Sequence, residues 1–155
     1  MKARMDFRAA SPPAAKAIAD LHAFVHRCGL EHGLLELIKL RASQINGCAH
    51  CIDMHTKELR AAGEDEQRLY LLDAWRESPF YSARERAALA WTEALTLITD
   101  GHVPDAVYEE ARAQFSDEEL VNLSLAIVAI NGANRLNIAF RTVPGGYRAK
   151  VRAAS

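Results

Sequence analysis

The sequence has little of what a membrane span, a β-sheet protein or a nucleotide enzyme would need. No apolar run approaches the roughly 20 residues that cross a bilayer; the longest candidate, Leu120 to Ile130, is interrupted by Asn122 and Ser124. Met1 to Pro13 carries Lys2, Arg4, Asp6 and Arg8 with no apolar segment behind them, so no secretory signal is expected. The formal net charge is −1, with Lys and Arg interleaved among Asp and Glu, which excludes the broad basic field of a nucleic-acid binder. Strand-like alternation is almost absent, as are internal repeats and low-complexity linkers. There is no Gly-rich dinucleotide loop and no Walker sequence, so no bound cofactor is expected. Cysteine is scarce, three in 155 residues, and two of the three lie close together. The expected compartment is the reducing cytoplasm, where a close thiol pair is more often catalytic or metal-binding than structural.

What remains is helix. Ala, Leu, Arg and Glu dominate, and apolar residues recur at three-to-four spacing. A single domain over 1–155 is expected, with a core of about 11–143 and a C-terminal tail over 144–155, built as an all-α bundle of six to seven helices. Ser11-Pro12-Pro13 starts the first helix, which runs to about Arg27 and stops at Gly29. The second spans about His32 to Gln44, and Asn46-Gly47 turns the chain. A third begins near Cys48 and ends before Gly63, and a short fourth covers about Asp65 to Trp75. Ser82 with Glu85, and Ser116 with Glu119, read as capping boxes that open the helices ending at Asp100-Gly101 and near Arg141. A shorter helix between them runs from Pro104 to about Gln114. Ala126 to Ile130 is apolar around the whole helix circumference, which predicts burial on all sides and, in a chain this small, a homo-oligomer. Arg135 in that helix is expected to meet a buried carboxylate, in its own chain or across a subunit boundary. Trp75, Trp91 and Phe80 are expected to anchor the core or an interface.

The chemistry-bearing stretch runs from Glu36 to His55. Cys48 and Cys51 are three apart, and an initial helical turn brings their sulfurs close enough to bond. His55 lies four residues after Cys51 and seven after Cys48, so the three form one stripe. A thiol there becomes a thiolate through the helix N-terminus, the imidazole as proton acceptor, and a hydrogen bond from its partner thiol. Antiparallel packing of the preceding helix would return Glu36 to this turn, where a carboxylate can orient His55 or relay its proton. His50 sits about 200° around the helix from Cys48 and joins the stripe only if the first turn is irregular or a neighbouring subunit faces it.

A Glu, eleven residues, then Cys-x-x-Cys-x-x-x-His, led in by Gln44-Ile45-Asn46-Gly47, resembles the alkyl hydroperoxidase D (AhpD)-like family of the carboxymuconolactone decarboxylase superfamily. The closing Asn131-Gly132-Ala133-Asn134-Arg135-Leu136 is similar to that family's final helix. The resemblance implies an AhpD-like all-helical fold with a repeated helix hairpin, assembled as trimers or as hexamers of dimers. It implies a thiol-dependent peroxidase that reduces hydroperoxides. Cys51 would be the attacking thiol, Cys48 the resolving one, and Glu36, His50 and His55 the proton relay. An external thiol donor, a protein or a dihydrolipoyl-type dithiol, would restore the reduced pair.

Other readings stand beside it. The pair could serve a general reductase of protein or small-molecule disulfides. Cys48 and Cys51 could be ordinary buried residues. They could also hold zinc with His55 and a further ligand, Cys28 being the only other cysteine, with His22, His26 and His32 near it. His22 and His26 share a helix face, but no carboxylate or third histidine has the spacing to complete a metal site with them. The decarboxylase branch generally lacks the cysteine pair, which argues against lactone decarboxylation.

Overall fold

The computed structural model describes residues 2–149. These residues form eight α-helices and one 3-10 turn, with no strand among them. The helices are α1 (Phe7–Ala10), α2 (Pro12–Val25), α3 (His32–Asn46), α4 (Ala49–Ala61), α5 (Glu66–Tyr70), α6 (Ala83–Thr96), α7 (Asp105–Arg112) and α8 (Asp117–Ala139). The expected all-α fold is borne out, with one helix more than the upper expected count. The addition is α1, nucleated by Asp6, whose side chain accepts from the backbone N–H groups of Arg8 and Ala9. Of the expected C-terminal tail, residues 150–155 lie outside the described residues.

Local signals place most boundaries. Pro12 and Pro13 occupy the first turn of α2. Both capping boxes form in full, Ser82 with Glu85 and Ser116 with Glu119. The expected helix from Asp65 to Trp75 breaks into α5 and a 3-10 turn over Leu72–Ala74, which buries Leu72 and Trp75 together. The helix opened by Ser82 stops at Thr96, short of Gly101, and leaves Ile98 exposed.

The centre of the bundle is α3, packed on α4, α6 and α8. Every residue from Leu34 to Leu40 is buried, including Glu36 and Lys39. One apolar cluster joins α3 to α6 and α8 through Leu35, Ile38, Ala88, Leu123 and Ile127. A second joins it to α4 and the 3-10 turn through Leu37, Leu40, Leu59, Leu72 and Trp75. An amide ladder fixes the register of α8 on α3: Asn46 Nδ2 donates to Asn131 and Asn134, and Asn134 Nδ2 donates to Ser43.

The single chain bears on three expectations about α8 and the aromatics. Ala126, Ile127, Ala129 and Ile130 are buried, but Val128 is 58% exposed, so α8 keeps one open face in the single chain. Arg135 meets no carboxylate among the described residues of the single chain; it is exposed and donates to the backbone and side-chain oxygens of Asn131, one turn back. Trp75 and Trp91 are core residues, whereas Phe80 is exposed. No helix among the described residues is long and apolar enough to cross a membrane.

Candidate active site

The turn between α3 and α4 positions the thiols. Gly47 ends α3 with φ +68°, a left-handed conformation that a side chain would strain. The chain thereby reverses so that Cys48 N–H donates to Ser43 and Cys48 becomes the N-cap of α4. Cys51 is the third residue of that helix. The two sulfurs are joined as a disulfide with Cα atoms 5.3 Å apart, and both residues are 1% exposed. No side chain caps this helix start, so its free backbone N–H groups and its dipole act on sulfur, favouring the thiolate once the bond is reduced.

The antiparallel α3–α4 pairing returns Glu36 to the thiol helix. Its Oε2 lies 2.7 Å from Nδ1 of His55, one turn beyond Cys51, and its Oε1 accepts from Nζ of Lys39 at 2.9 Å. All three side chains are buried. Burial opposes ionisation of Glu36, but the His55 hydrogen bond and the Lys39 charge outweigh it and hold the carboxyl well below the usual carboxylate range. A carboxylate only accepts, so Nδ1 of neutral His55 must carry the proton and Nε2 must hold the lone pair. That Nε2 is buried and has no hydrogen-bond partner among the described residues, the arrangement of a base awaiting a proton.

Of the expected site residues, Cys48, Cys51, His55 and Glu36 therefore converge. His50 stands apart: it is half-buried in the wall of a cleft with His22, Met54 and Asn137, outside the Glu36–His55 pair. Its pKa is lowered, by burial first and by nearby Arg8, against a hydrogen bond to the Val143 backbone that raises it.

Two residues escape sequence reasoning. Lys39 reads from sequence as an ordinary ion-pair partner, yet it is 1% exposed and completes the carboxylate's coordination. Its i,i+3 spacing from Glu36 was the available signal. Asn137, from α8, donates Nδ2 to Cys51 Sγ at 3.5 Å, a contact across 86 residues that no spacing rule reaches.

No group of potential metal-binding side chains among the described residues includes both His22 and His26, but His26 meets two residues of α3 instead. Donor atoms of His26, His32 and Glu36 lie within 4.8 Å of one another. The ammonium of Lys39 already sits 2.9 Å from Glu36 and 3.3 Å from Nε2 of His26, so an internal cation engages two of the three. His22 on the same helix is pushed down to about 4, by burial and then by the Lys39 charge. Cys28 is half-buried against the core, away from the bonded pair.

Comparison with known proteins agrees with this geometry. The model of the carboxymuconolactone decarboxylase family matches residues 12–94. The uncharacterized protein YdfG of Bacillus subtilis is 43% identical over 139 residues, 90% of this chain and 95% of its own length. A crystal structure from Agrobacterium tumefaciens, of a protein of unknown function with a provisional name as the antioxidant defence protein AhpD, superposes with a TM-score of 0.91 at 49% identity, covering 94% of this chain and 100% of that one. An uncharacterized peroxidase-related protein with an AhpD core, from Ralstonia eutropha, shares the fold at a TM-score of 0.79 and 21% identity, covering 90% of this chain and 75% of that one. With its paired thiols, its buried Glu–His couple and these relatives, the chain belongs to the carboxymuconolactone decarboxylase family, as an AhpD-like member.

Proposed function

We propose that the protein is a thiol peroxidase in which Cys51 attacks a hydroperoxide. The observation that carries this reading is the Cys48–Cys51 disulfide at the head of α4 with the Glu36–His55 pair one turn away. His55 takes the Cys51 proton through Nε2, and Asn137 Nδ2 donates to the sulfur that carries the charge. The thiolate bonds to the terminal peroxide oxygen as the O–O bond breaks, and the alcohol leaves with a proton. Cys48 then displaces hydroxide from the Cys51 sulfenic acid, releasing water and closing the disulfide. An external dithiol gives up two electrons and two protons to reopen it. This reading carries with it a reducing compartment, where such a donor is available, and a homo-oligomer, supported by the exposed Val121 and Val128 on α8.

A disulfide reductase would use the same pair. The 1% exposure of both cysteines favours a small oxidant over a protein disulfide, and a donor thiol carried on a slender arm over a broad docking partner. The deciding experiment adds one equivalent of hydrogen peroxide to the reduced protein and follows it by mass spectrometry with a sulfenate trap. Wild type should close its disulfide, Cys48→Ser should be trapped at Cys51, and Cys51→Ser should stay unmodified. Trapping at Cys48, or inertness of wild type, would overturn the reading.

A further inference from the structure

Met54 of the thiol helix lies in the wall of two clefts. One, of about 410 Å³, is bordered by the polar side chains of Glu36, His55, His26 and His32. The other, of about 450 Å³, lies between α1–α2 and α8 and has Phe7, Ile18, Ala133 and Leu136 in its walls. Its size is that of a small-molecule site, and its apolar lining with a few polar groups is the usual composition of one.

Its polar groups are placed with a purpose. Asn137 belongs to the lining, is 7% exposed, and touches Cys51 Sγ through Nδ2. Its Oδ1 is buried with no hydrogen-bond partner among the described residues, an acceptor left for a donor that a ligand would bring. The charges in the lining are all cationic or histidine: Arg8 and Lys16 with His22 and His50, and no carboxylate. Lys16 is paired with Asp20 at 2.5 Å. Arg8 lies over the Phe7 ring, 4.5 Å from its centroid, and has no carboxylate partner among the described residues.

We propose that this cleft takes an amphipathic organic hydroperoxide bearing a carboxylate, with its apolar chain along Ile18 and Leu136, its carboxylate at Arg8 and its peroxide group at Asn137 beside Cys51. The inference rests on the peroxidase reading above and names its substrate class. The O–H of the hydroperoxide donates to Asn137 Oδ1, which holds the terminal oxygen over sulfur. Cys51 is oxidised to the sulfenic acid, and the hydroperoxide is reduced to the corresponding hydroxy acid.

The test mixes the full, reduced protein with linoleic acid hydroperoxide, with its methyl ester and with hydrogen peroxide, the lipids below micelle-forming concentration, and follows thiol loss by stopped flow. The acid should react about threefold faster than the ester, the range of an exposed ion pair, and the ratio should fall towards one in Arg8→Gln and at high salt. Ala19→Trp, at an exposed position in the cleft wall, should slow both lipids relative to hydrogen peroxide. Equal acid and ester rates in wild type, or a ratio that Arg8→Gln leaves unchanged, would overturn the cleft assignment while hydrogen peroxide consumption preserves the peroxidase reading. Thiols inert to all three oxidants would overturn both.

Discussion

Replacing Glu36 by glutamine tests the proton logic of the site. The carboxylate now faces two donors, Lys39 Nζ at 2.9 Å and His55 Nδ1 at 2.7 Å. Glutamine offers one acceptor and one donor group in the same shape. Turning its NH2 towards a buried ammonium is the worse choice, so its oxygen goes to Lys39 and its nitrogen faces Nδ1. His55 must then move its proton to Nε2 and can no longer accept one from Cys51. The rate of thiol oxidation by peroxide should fall about 10²- to 10⁴-fold, the worth of a positioned general base. The same change strands a buried ammonium, at a cost of up to about 3–5 kcal/mol, softened by the one hydrogen bond that glutamine keeps. Adding Lys39→Met removes the ammonium, frees the amide oxygen to turn to His55, and restores the original tautomer. The double variant should therefore regain stability in urea and also recover at least about tenfold in rate over the single variant. Single-turnover stopped flow on the reduced proteins, with circular dichroism to confirm folding, reads both effects. A single variant within threefold of wild type, or a double variant no faster than the single, would refute the reasoning.

His22 should make the protein acid-sensitive. Its folded pKa of about 4 lies below the ordinary 6.5, so the unfolded chain binds the proton that the folded chain refuses. Stability is then intact above pH 6.5 and falls as pH drops through this window towards 4, by about 1–2 kcal/mol after allowance for partial exposure. His22→Asn should flatten this part of the curve of urea midpoint against pH, and an unchanged slope would show that His22 does not cause it. Asn137→Leu should raise the pH at which Cys51 becomes reactive towards iodoacetamide, slowing alkylation at pH 7 about fivefold, the worth of one weak charge-assisted hydrogen bond. Unaltered alkylation would remove Asn137 from thiolate stabilisation.

Much of this was legible in sequence because the relevant physics is local. Capping boxes at Ser82 and Ser116, the prolines opening α2, and the left-handed glycines at Gly29 and Gly47 each act within a few residues. So does the stripe of Cys48, Cys51 and His55, which lies on one helix. Glu36 required one further step, the hairpin of α3 on α4. The rest depended on which helix the bundle places at its centre. The burial expected of α8 falls most completely on α3, and that denies Lys39 a route to solvent, leaving Glu36 and His26 as its partners. Asn137 meets Cys51 only once α8 packs, and His26, just past the end of α2, joins His32 and Glu36 of α3 only once the chain folds back, so spacing along one helix could not reveal either meeting.

Segments near both ends of the described chain frame the two entrances. Phe7 stacks on Phe140 at 5.7 Å, and Arg4 bonds to the end of α8, which fastens α1 beside one cleft. At the other cleft, Tyr147 bonds to Glu58, while Lys57 reaches the Tyr147 carbonyl and Asp53 the Gly145 amide. The doorways are thus made of peripheral chain and the sulfur chemistry of interior helix. Substitutions in these peripheral segments, at Phe7 and Arg8 beside one cleft or at Tyr147 and Arg148 beside the other, would therefore change which molecules are admitted while leaving the interior sulfur chemistry as it is.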